Sequence, residues 1–221
     1  MDMEQFWGNL AVMLGALSGF LYGGPRYLQP KKPLYASMIV LGITSLMLGR
    51  LYQCVRIAAG FPETDGFQIG MLGVAGASSF FFSSNYSQID SLVDDGGPAF
   101  RRYRRIALLG PLLAILLYLP LAFGPQSVGS KASQAVLTVF LAAAFYFHVK
   151  HLLIPDVDYG VVRCLRHFNA LALALGGFLM VEMAADAYGN KLLLLAVRMV
   201  ITALAAAVVP VMDRGVKAWR T

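Results

Sequence analysis

Seven long apolar runs constrain this chain more than any other feature of its sequence. Each run is about 20 residues long, which is what a helix needs to cross a hydrocarbon core roughly 30 Å thick. None alternates apolar and polar residues as a strand of a membrane β-barrel does. We therefore predict an all-α, polytopic membrane protein, with one seven-helix transmembrane domain over residues 1–221. The predicted spans are 6–23, 34–59, 67–87, 105–123, 134–153, 167–187 and 192–212.

The composition supports this class of protein. Of the 221 residues, 58% are hydrophobic and 14% are charged, whereas soluble domains average about 45–50% and about 25%. The spans and their short connections use nearly all of the length, so we expect no separate soluble domain. The net charge of +6 lies in the connections between apolar runs, which favours a lipid bilayer rather than nucleic acid as the partner. The first residues, MDMEQ, are acidic and do not predict a cleavable signal peptide.

The distribution of Lys and Arg predicts the orientation of the chain in the membrane. Alternate connections are basic, whereas the opposite side has only Lys131 and Lys191. By the positive-inside rule, the N-terminus is outside and the C-terminus is cytoplasmic, in a multi-pass protein of the inner (plasma) membrane. The basic residues predicted to be cytoplasmic are Arg26, Lys31, Lys32, Arg101, Arg102, Arg104, Arg105, Lys150, Arg163, Arg166, Arg214, Lys217 and Arg220.

Five charged residues fall inside the apolar runs. The predicted topology places all of them at a similar depth, near the outer ends of spans two, six and seven. A charged side chain at the centre of a span costs about 2.5–3.5 kcal/mol on insertion scales, so opposite charges at this depth are expected to pair. We predict that Glu182 pairs with Arg198 or Arg50.

Two interpretations of these charges remain open. They form a structural clamp between helices, or they line an outward-facing pocket with one surplus cation that binds an anionic or zwitterionic solute. Neutral hydrogen-bonding side chains beside Arg50 fit the second interpretation. The candidate ligand-binding residues are Arg50, Tyr52, Gln53, Arg56, Glu182, Asp186 and Arg198.

Span three is unusually polar in its second half. Ser79, Ser83 and Asn85 either hydrogen-bond neighbouring helices as packing contacts or continue a polar pathway from the pocket toward the cytoplasm. Span one carries glycines at four-residue spacing, which predicts either a seam between helices or a dimer contact. These glycines are Gly15, Gly19 and Gly23.

All three histidines lie near the predicted cytoplasmic ends of spans five and six. Histidine is a common ligand of metals and haem, so His148, His151 and His167 are candidate metal ligands. Ordinary interfacial histidines are the alternative, and no HExxH sequence is present. The sequence also lacks a GxSxG motif, which would have suggested a hydrolase. The pattern does not specify a cofactor, and an enzyme is not favoured.

The sequence therefore leaves three functions open. The first is a membrane protein that binds, and in one version transports, a small anionic or zwitterionic solute. The second is a receptor-like sensor or accessory subunit, which acts through a protein partner at its basic cytoplasmic loops. The third is a metal- or haem-dependent membrane enzyme.

Overall fold

The computed structural model describes residues 3–61, 68–86, 96–154 and 161–220, which form helices without strands. The predicted all-α class is confirmed for this part of the chain. The helical segment Pro98–Phe123 begins with a short turn at Pro98–Phe100 and is interrupted at Leu108. The helices are α1 Met3–Tyr27, α2 Leu34–Ala58, α3 Ile69–Ser84, α4 Pro98–Phe123, α5 Val128–Leu153, α6 Val161–Ala187 and α7 Lys191–Arg220.

Within these described ranges, 6 helices are long and apolar enough to cross a membrane. Helix α3 has 16 residues and is shorter than the others. The residues at the two predicted ends of its span, 67 and 87, lie outside the described part. The bundle is thus of the kind that multi-pass membrane proteins form, while the count of seven spans stays a prediction.

Several helices begin earlier or end later than the predicted spans. Helix α5 begins at Val128 rather than at residue 134, because Ser127 caps it: the Ser127 hydroxyl oxygen accepts a hydrogen bond of 3.1 Å from the backbone N–H of Ser130. Helix α7 continues to Arg220 rather than ending at residue 212. Hydropathy marks only the apolar section of a helix, and capped polar turns extend it.

Six of the helices form a ring. Helices α1, α2 and α3 pack consecutively, as do α5, α6 and α7, and the two triplets join where α3 contacts α5 and where α1 contacts α7. Helix α4 packs outside this ring, against α5 and α6. The ring encloses the functional features described below.

Small residues allow the closest helix contacts in the ring. A Cβ atom at Gly73 of α3 would lie 2.6 Å from Cα of Gly49 on α2, so neither position has room for a side chain. Likewise, a Cβ atom at Gly15 of α1 would lie 2.5 Å from the carbonyl oxygen of Thr202 on α7. Gly19 meets α7 as well, so the predicted glycine seam in α1 is confirmed as a contact between helices.

The end of the ring opposite the N-terminus is held by a second contact between α1 and α7. Asp213 of α7 is buried and accepts hydrogen bonds from the hydroxyl groups of Tyr22, at 2.6 Å, and of Tyr27. Lys217, one turn later on α7, forms an ion pair of 2.8 Å with the same carboxylate. This contact fixes α1 to α7 far from the charged residues at the other end.

We predict different effects of the same substitution at two helical glycines. Gly73→Ala should destabilise the protein by about 1–3 kcal/mol, because the new methyl group meets the backbone of α2. Gly177→Ala is the control, since its Cβ would meet only Leu117, at 3.9 Å. It should be neutral or stabilising by about 0.5–1 kcal/mol through the helix propensity of alanine. Thermal unfolding in detergent tests both, and equal melting temperatures would contradict the tight α2–α3 contact.

Candidate functional site

A polar cavity of about 680 Å³ lies at the end of the ring where α1 begins. All six ring helices contribute side chains to it, and α4 contributes none of its described lining. Its size falls within the range of small-molecule sites, about 300–1,000 Å³. The polar and charged residues of the lining are Gln5, Asn9, Arg50, Gln53, Arg56, Gln68, Gln126, Ser130, Gln134, Glu182, Asp186 and Arg198.

An Arg–Glu–Arg cluster, formed by Arg50, Glu182 and Arg198, lies on the buried side of this cavity. The Glu182 carboxylate accepts hydrogen bonds from both terminal nitrogens of Arg50, one of them at 2.8 Å to Oε1. It also accepts one from Nε of Arg198 at 2.8 Å. The predicted pairing of Glu182 is therefore confirmed, with both arginines rather than with one.

The cluster is largely removed from solvent. The side chains of Arg50, Glu182 and Arg198 are 12%, 5% and 7% exposed. Two cations share one anion, so the cluster carries a formal charge of +1. An ion pair buried to this extent is stable only when its geometry is good and its remaining donors are satisfied.

Polar residues of α1 extend the hydrogen bonding of the cluster. Asn9 Oδ1 accepts from Nη1 of Arg50 at 3.0 Å, and Gln5 Oε1 accepts from Nη2 of Arg198 at 2.6 Å. Gly8 makes room for the second arginine, because a Cβ atom there would lie 2.5 Å from its Nη1. Helix α1 therefore supplies both the neutral acceptors and the space that the buried arginines need.

The remaining candidate ligand residues lie nearer the mouth of the cavity, with one exception. Asp186 is exposed and accepts a hydrogen bond of 2.7 Å from Gln5. Arg56 donates through Nε to Gln53 at 2.9 Å, and both side chains line the cavity. Tyr52 is half-buried on α2 and does not belong to the described lining.

Sequence reasoning missed several polar residues of this cavity. Gln5 and Asn9 of α1, and Ser130 and Gln134 of α5, are each four residues apart, so each pair shares one helix face. This spacing was a usable signal. It was overlooked because both pairs lie close to the ends of predicted spans, where polar residues normally face water or lipid headgroups.

An apolar layer closes the ring beyond the cavity. Beneath the polar cavity lies a second cavity of only about 10 Å³, and Leu179 lines both. The apolar side chains around the second cavity include Phe81, Leu141, Phe145 and Leu175. A space of this size holds at most about one water molecule. Ser79 and Ser83 are half-buried and line neither cavity, so the pathway predicted along α3 stays a prediction.

An Asn–His cluster lies beyond the apolar layer, buried between α3, α5 and α6. Asn85 Nδ2 donates to Asn169 Oδ1 at 3.0 Å, and Nδ1 of His148 is 3.0 Å from the same Asn85 nitrogen. Nδ1 of His151 lies 3.2 Å from Asn85 Oδ1. Asn85 is therefore near the centre of a buried hydrogen-bond network.

The structure brings together two of the three histidines that were predicted as metal ligands. His148 and His151 are buried in the Asn–His cluster, whereas His167 is exposed on α6. Among the described residues, no group of three or more His, Cys, Asp or Glu side chains is placed to hold a metal ion. The metal or haem site remains a prediction from the sequence.

Comparison with known proteins does not assign this chain to a family. Comparisons of the chain with protein families, with curated proteins and with solved structures found no match. The geometry of the cavity and its charges are therefore the basis for the functional proposal.

We predict that Glu182→Gln destabilises the protein by about 3–5 kcal/mol, because two buried guanidinium groups lose the carboxylate that they share. Glu4→Gln is the matched control. Glu4 pairs with Lys191 at 3.3 Å, but the two side chains are 46% and 77% exposed, and such a pair contributes less than about 1 kcal/mol. Thermal unfolding in detergent should separate the two variants clearly. Similar losses in both would show that the buried cluster does not hold the ring together.

Proposed function

We propose that this protein is a seven-span plasma-membrane carrier for a small anionic or zwitterionic solute. The N-terminus would be outside and the C-terminus cytoplasmic. The observation that carries the proposal is the Arg–Glu–Arg cluster, which has a formal charge of +1 and lines a cavity of about 680 Å³. The solute would enter this cavity from outside and contact the buried arginines.

Electrostatics favour an anionic group in the cavity. The surplus positive charge of the cluster is more than four-fifths removed from solvent, where the attraction between opposite charges is screened less than in water. Near the mouth, Arg56 and Asp186 add one charge of each sign and do not change the balance. The described lining as a whole therefore keeps a formal charge of +1, which an anionic solute would neutralise.

The position of the cavity supports transport rather than binding alone. It lies between the triplet α1–α3 and the triplet α5–α7, and both triplets line it. Carriers built from paired helical units hold their solute between the units and expose it to each side in turn as one unit moves against the other. The apolar layer at Phe81, Leu141 and Phe145 would be the closed gate on the cytoplasmic side.

The length of α3 is compatible with a seventh span. Its 16 residues correspond to about 24 Å of helix, and a short span is accommodated by local thinning of the bilayer. Among the described basic residues that we assign to the cytoplasm, Arg26, Lys31 and Lys32 lie at and after the end of α1, opposite the polar cavity. The cavity would therefore open to the outside.

We expect small anions to raise the melting temperature of the purified protein. A ligand at 100 times its dissociation constant stabilises a protein by about 2.7 kcal/mol. The screen should include monocarboxylates, dicarboxylates, amino acids, phosphate and sugars. Among these probes, at least one anionic or zwitterionic compound should raise the melting temperature and neutral sugars should not.

Arg50→Gln tests whether this stabilisation comes from the cluster. The variant leaves Glu182 paired with Arg198, so the cluster becomes neutral without leaving an unpaired buried charge. The protein should stay folded and bind the stabilising anion at least about tenfold more weakly, equivalent to about 1.4 kcal/mol. Lys191→Gln, which removes an exposed cation of the same charge, should bind like the wild type. Unchanged anion binding in Arg50→Gln would overturn the proposed site.

Uptake of the same labelled anion into proteoliposomes then tests transport. We expect time-dependent accumulation that Arg50→Gln abolishes. Anion binding without flux would instead favour the receptor-like alternative. That alternative is supported by the exposed side chains of Arg101, Arg102 and Arg105, which offer a basic surface to a cytoplasmic partner.

A further inference from the structure

Most side-chain oxygens in the lining of the polar cavity already accept hydrogen bonds from the protein itself. The arginines of the cluster donate to some of them, and side chains nearer the mouth bond one another. The lining residues whose side-chain oxygens accept in this way are Gln5, Asn9, Gln53, Gln68, Glu182 and Asp186. A solute that brought a donor to these oxygens would have to compete with the donors of the protein.

The amide groups of two glutamines on the α5 side of the cavity are arranged differently. In Gln134, which is only 6% exposed, and in Gln126, the oxygen Oε1 is closed off from solvent and has no hydrogen-bond partner among the described residues. Nε2 is the accessible atom of each amide, and no residue that the structure describes accepts a hydrogen bond from it. Each amide therefore presents a donor, rather than an acceptor, to a solute in the cavity.

The orientation of the Gln134 amide has a physical reason. An amide nitrogen carries two N–H donors, whereas the oxygen is an acceptor only, and buried N–H groups without a partner are rarer in proteins than buried oxygens without one. With Nε2 toward the cavity, the less unfavourable group is the one that is buried. An apolar residue of similar size would bury no unsatisfied group at all, so packing alone does not favour glutamine at position 134.

Ser130 adds another unused donor one turn before Gln134, on the same face of α5. Its hydroxyl has no hydrogen-bond partner in the part of the chain that the structure describes, and the residue lines the cavity. Other hydroxyls of this helix behave differently, because those of Ser133 and Thr138 donate to main-chain carbonyls one turn earlier, at 2.9 and 2.7 Å. The α5 side of the cavity therefore offers neutral donors, opposite in character to a site for an ammonium group.

We infer that the solute carries a neutral hydrogen-bond acceptor in addition to its anionic group, and that Nε2 of Gln134 donates to this acceptor. The inference rests on the proposed function and narrows the class of solute to monocarboxylates with a second oxygen group, such as oxo acids. The carboxylate would lie toward the arginines and neutralise the formal charge of +1 of their cluster. The described lining then keeps no net positive charge for a second anionic group.

Matched pairs of probes test the inference directly. Levulinate and valerate differ by one ketone oxygen, as do acetoacetate and butyrate, and a ketone accepts hydrogen bonds without donating any. The two pairs differ in chain length, so that the ketone lies at two different distances from the carboxylate. In the wild type, the oxo acid of at least one pair should bind about fivefold more tightly than its partner, equivalent to about 1 kcal/mol. Isothermal titration in detergent measures the four dissociation constants.

Gln134→Met should remove this preference. Methionine has a similar length and no N–H donor, so the two members of each pair should bind within about twofold of each other, or the oxo acid more weakly. The affinity for valerate or butyrate should change little, because the arginines remain. Without ligand, the variant should melt at the wild-type temperature or above it, since a buried unsatisfied oxygen has been removed.

Gln29→Met is the matched control. Gln29 is exposed at the opposite end of the bundle, where its side chain donates to the carbonyl of Pro25 at 2.6 Å. This variant should keep the wild-type preference.

The possible failures are distinguishable. The inference is overturned if the wild type binds both members of each pair equally or prefers the plain acids. It is also overturned if Gln134→Met keeps the preference, or if this variant is strongly destabilised without ligand, which would make Gln134 a structural residue. In all of these cases the wild type still binds anions at the arginines. If no anion binds the wild type at all, the proposed function fails, and the inference fails with it.

Discussion

Glu182 accepts hydrogen bonds from guanidinium groups on two other helices, and the arrangement of the polar end of the ring depends on this contact. Arg50 belongs to the triplet α1–α3, whereas Glu182 and Arg198 belong to the triplet α5–α7. The same cluster reaches α1 through Asn9 and Gln5. A movement of one triplet against the other would have to break or rebuild these hydrogen bonds. An anion that contacts the same arginines is therefore placed where binding and movement can be coupled.

The ring separates polar groups into two layers with an apolar layer between them. The charged layer at one end surrounds a cavity large enough for a metabolite, while the Asn–His cluster beyond Phe81 and Leu179 is closely packed. Buried polar groups are tolerated in such a bundle when they satisfy one another. Asn85 and Asn169 meet that condition through their contacts with His148. Exceptions among the described residues include Nε2 of His148, in this same cluster, and Oε1 of Gln134, beside the cavity.

The helical class and the pairing of Glu182 could be predicted from the sequence for physical reasons. In a membrane, an apolar run of this length has few stable alternatives to a helix, because its backbone groups must hydrogen-bond within the segment. Opposite charges at the same depth are expected to pair, because an unpaired charge there is costly. The direction that each side chain faces was harder to predict. Tyr52 was assigned to the site because it adjoins Arg50 in sequence, but successive helical residues point about 100° apart, and Tyr52 lies outside the described lining.

Residues near the ends of spans were the least predictable. Gln134 follows a polar connection, and its sequence context is that of a residue at the membrane surface. In the structure, however, the residue is buried and belongs to the lining of the cavity. Lys150 was assigned to a basic loop, but it lies within α5 and is 3% exposed. Both residues lie within the predicted span 134–153 and within α5, so packing in the ring, rather than hydropathy, decides that their side chains are enclosed.

The position of α4 outside the ring has a consequence for how such a chain could arise and diverge. Three consecutive antiparallel helices leave the chain at the opposite end of the bundle from where it began. A second triplet joined directly to the first would therefore run antiparallel to it. One additional crossing restores the direction, and in the structure α1 and α7 indeed run parallel, with Gly8 near Arg198 and Gly15 near Thr202. Helix α4 thus acts as a topological adaptor. Only 22% of its most apolar stretch is buried, so exchanges among apolar residues in α4 should disturb the packing less than exchanges in the ring helices.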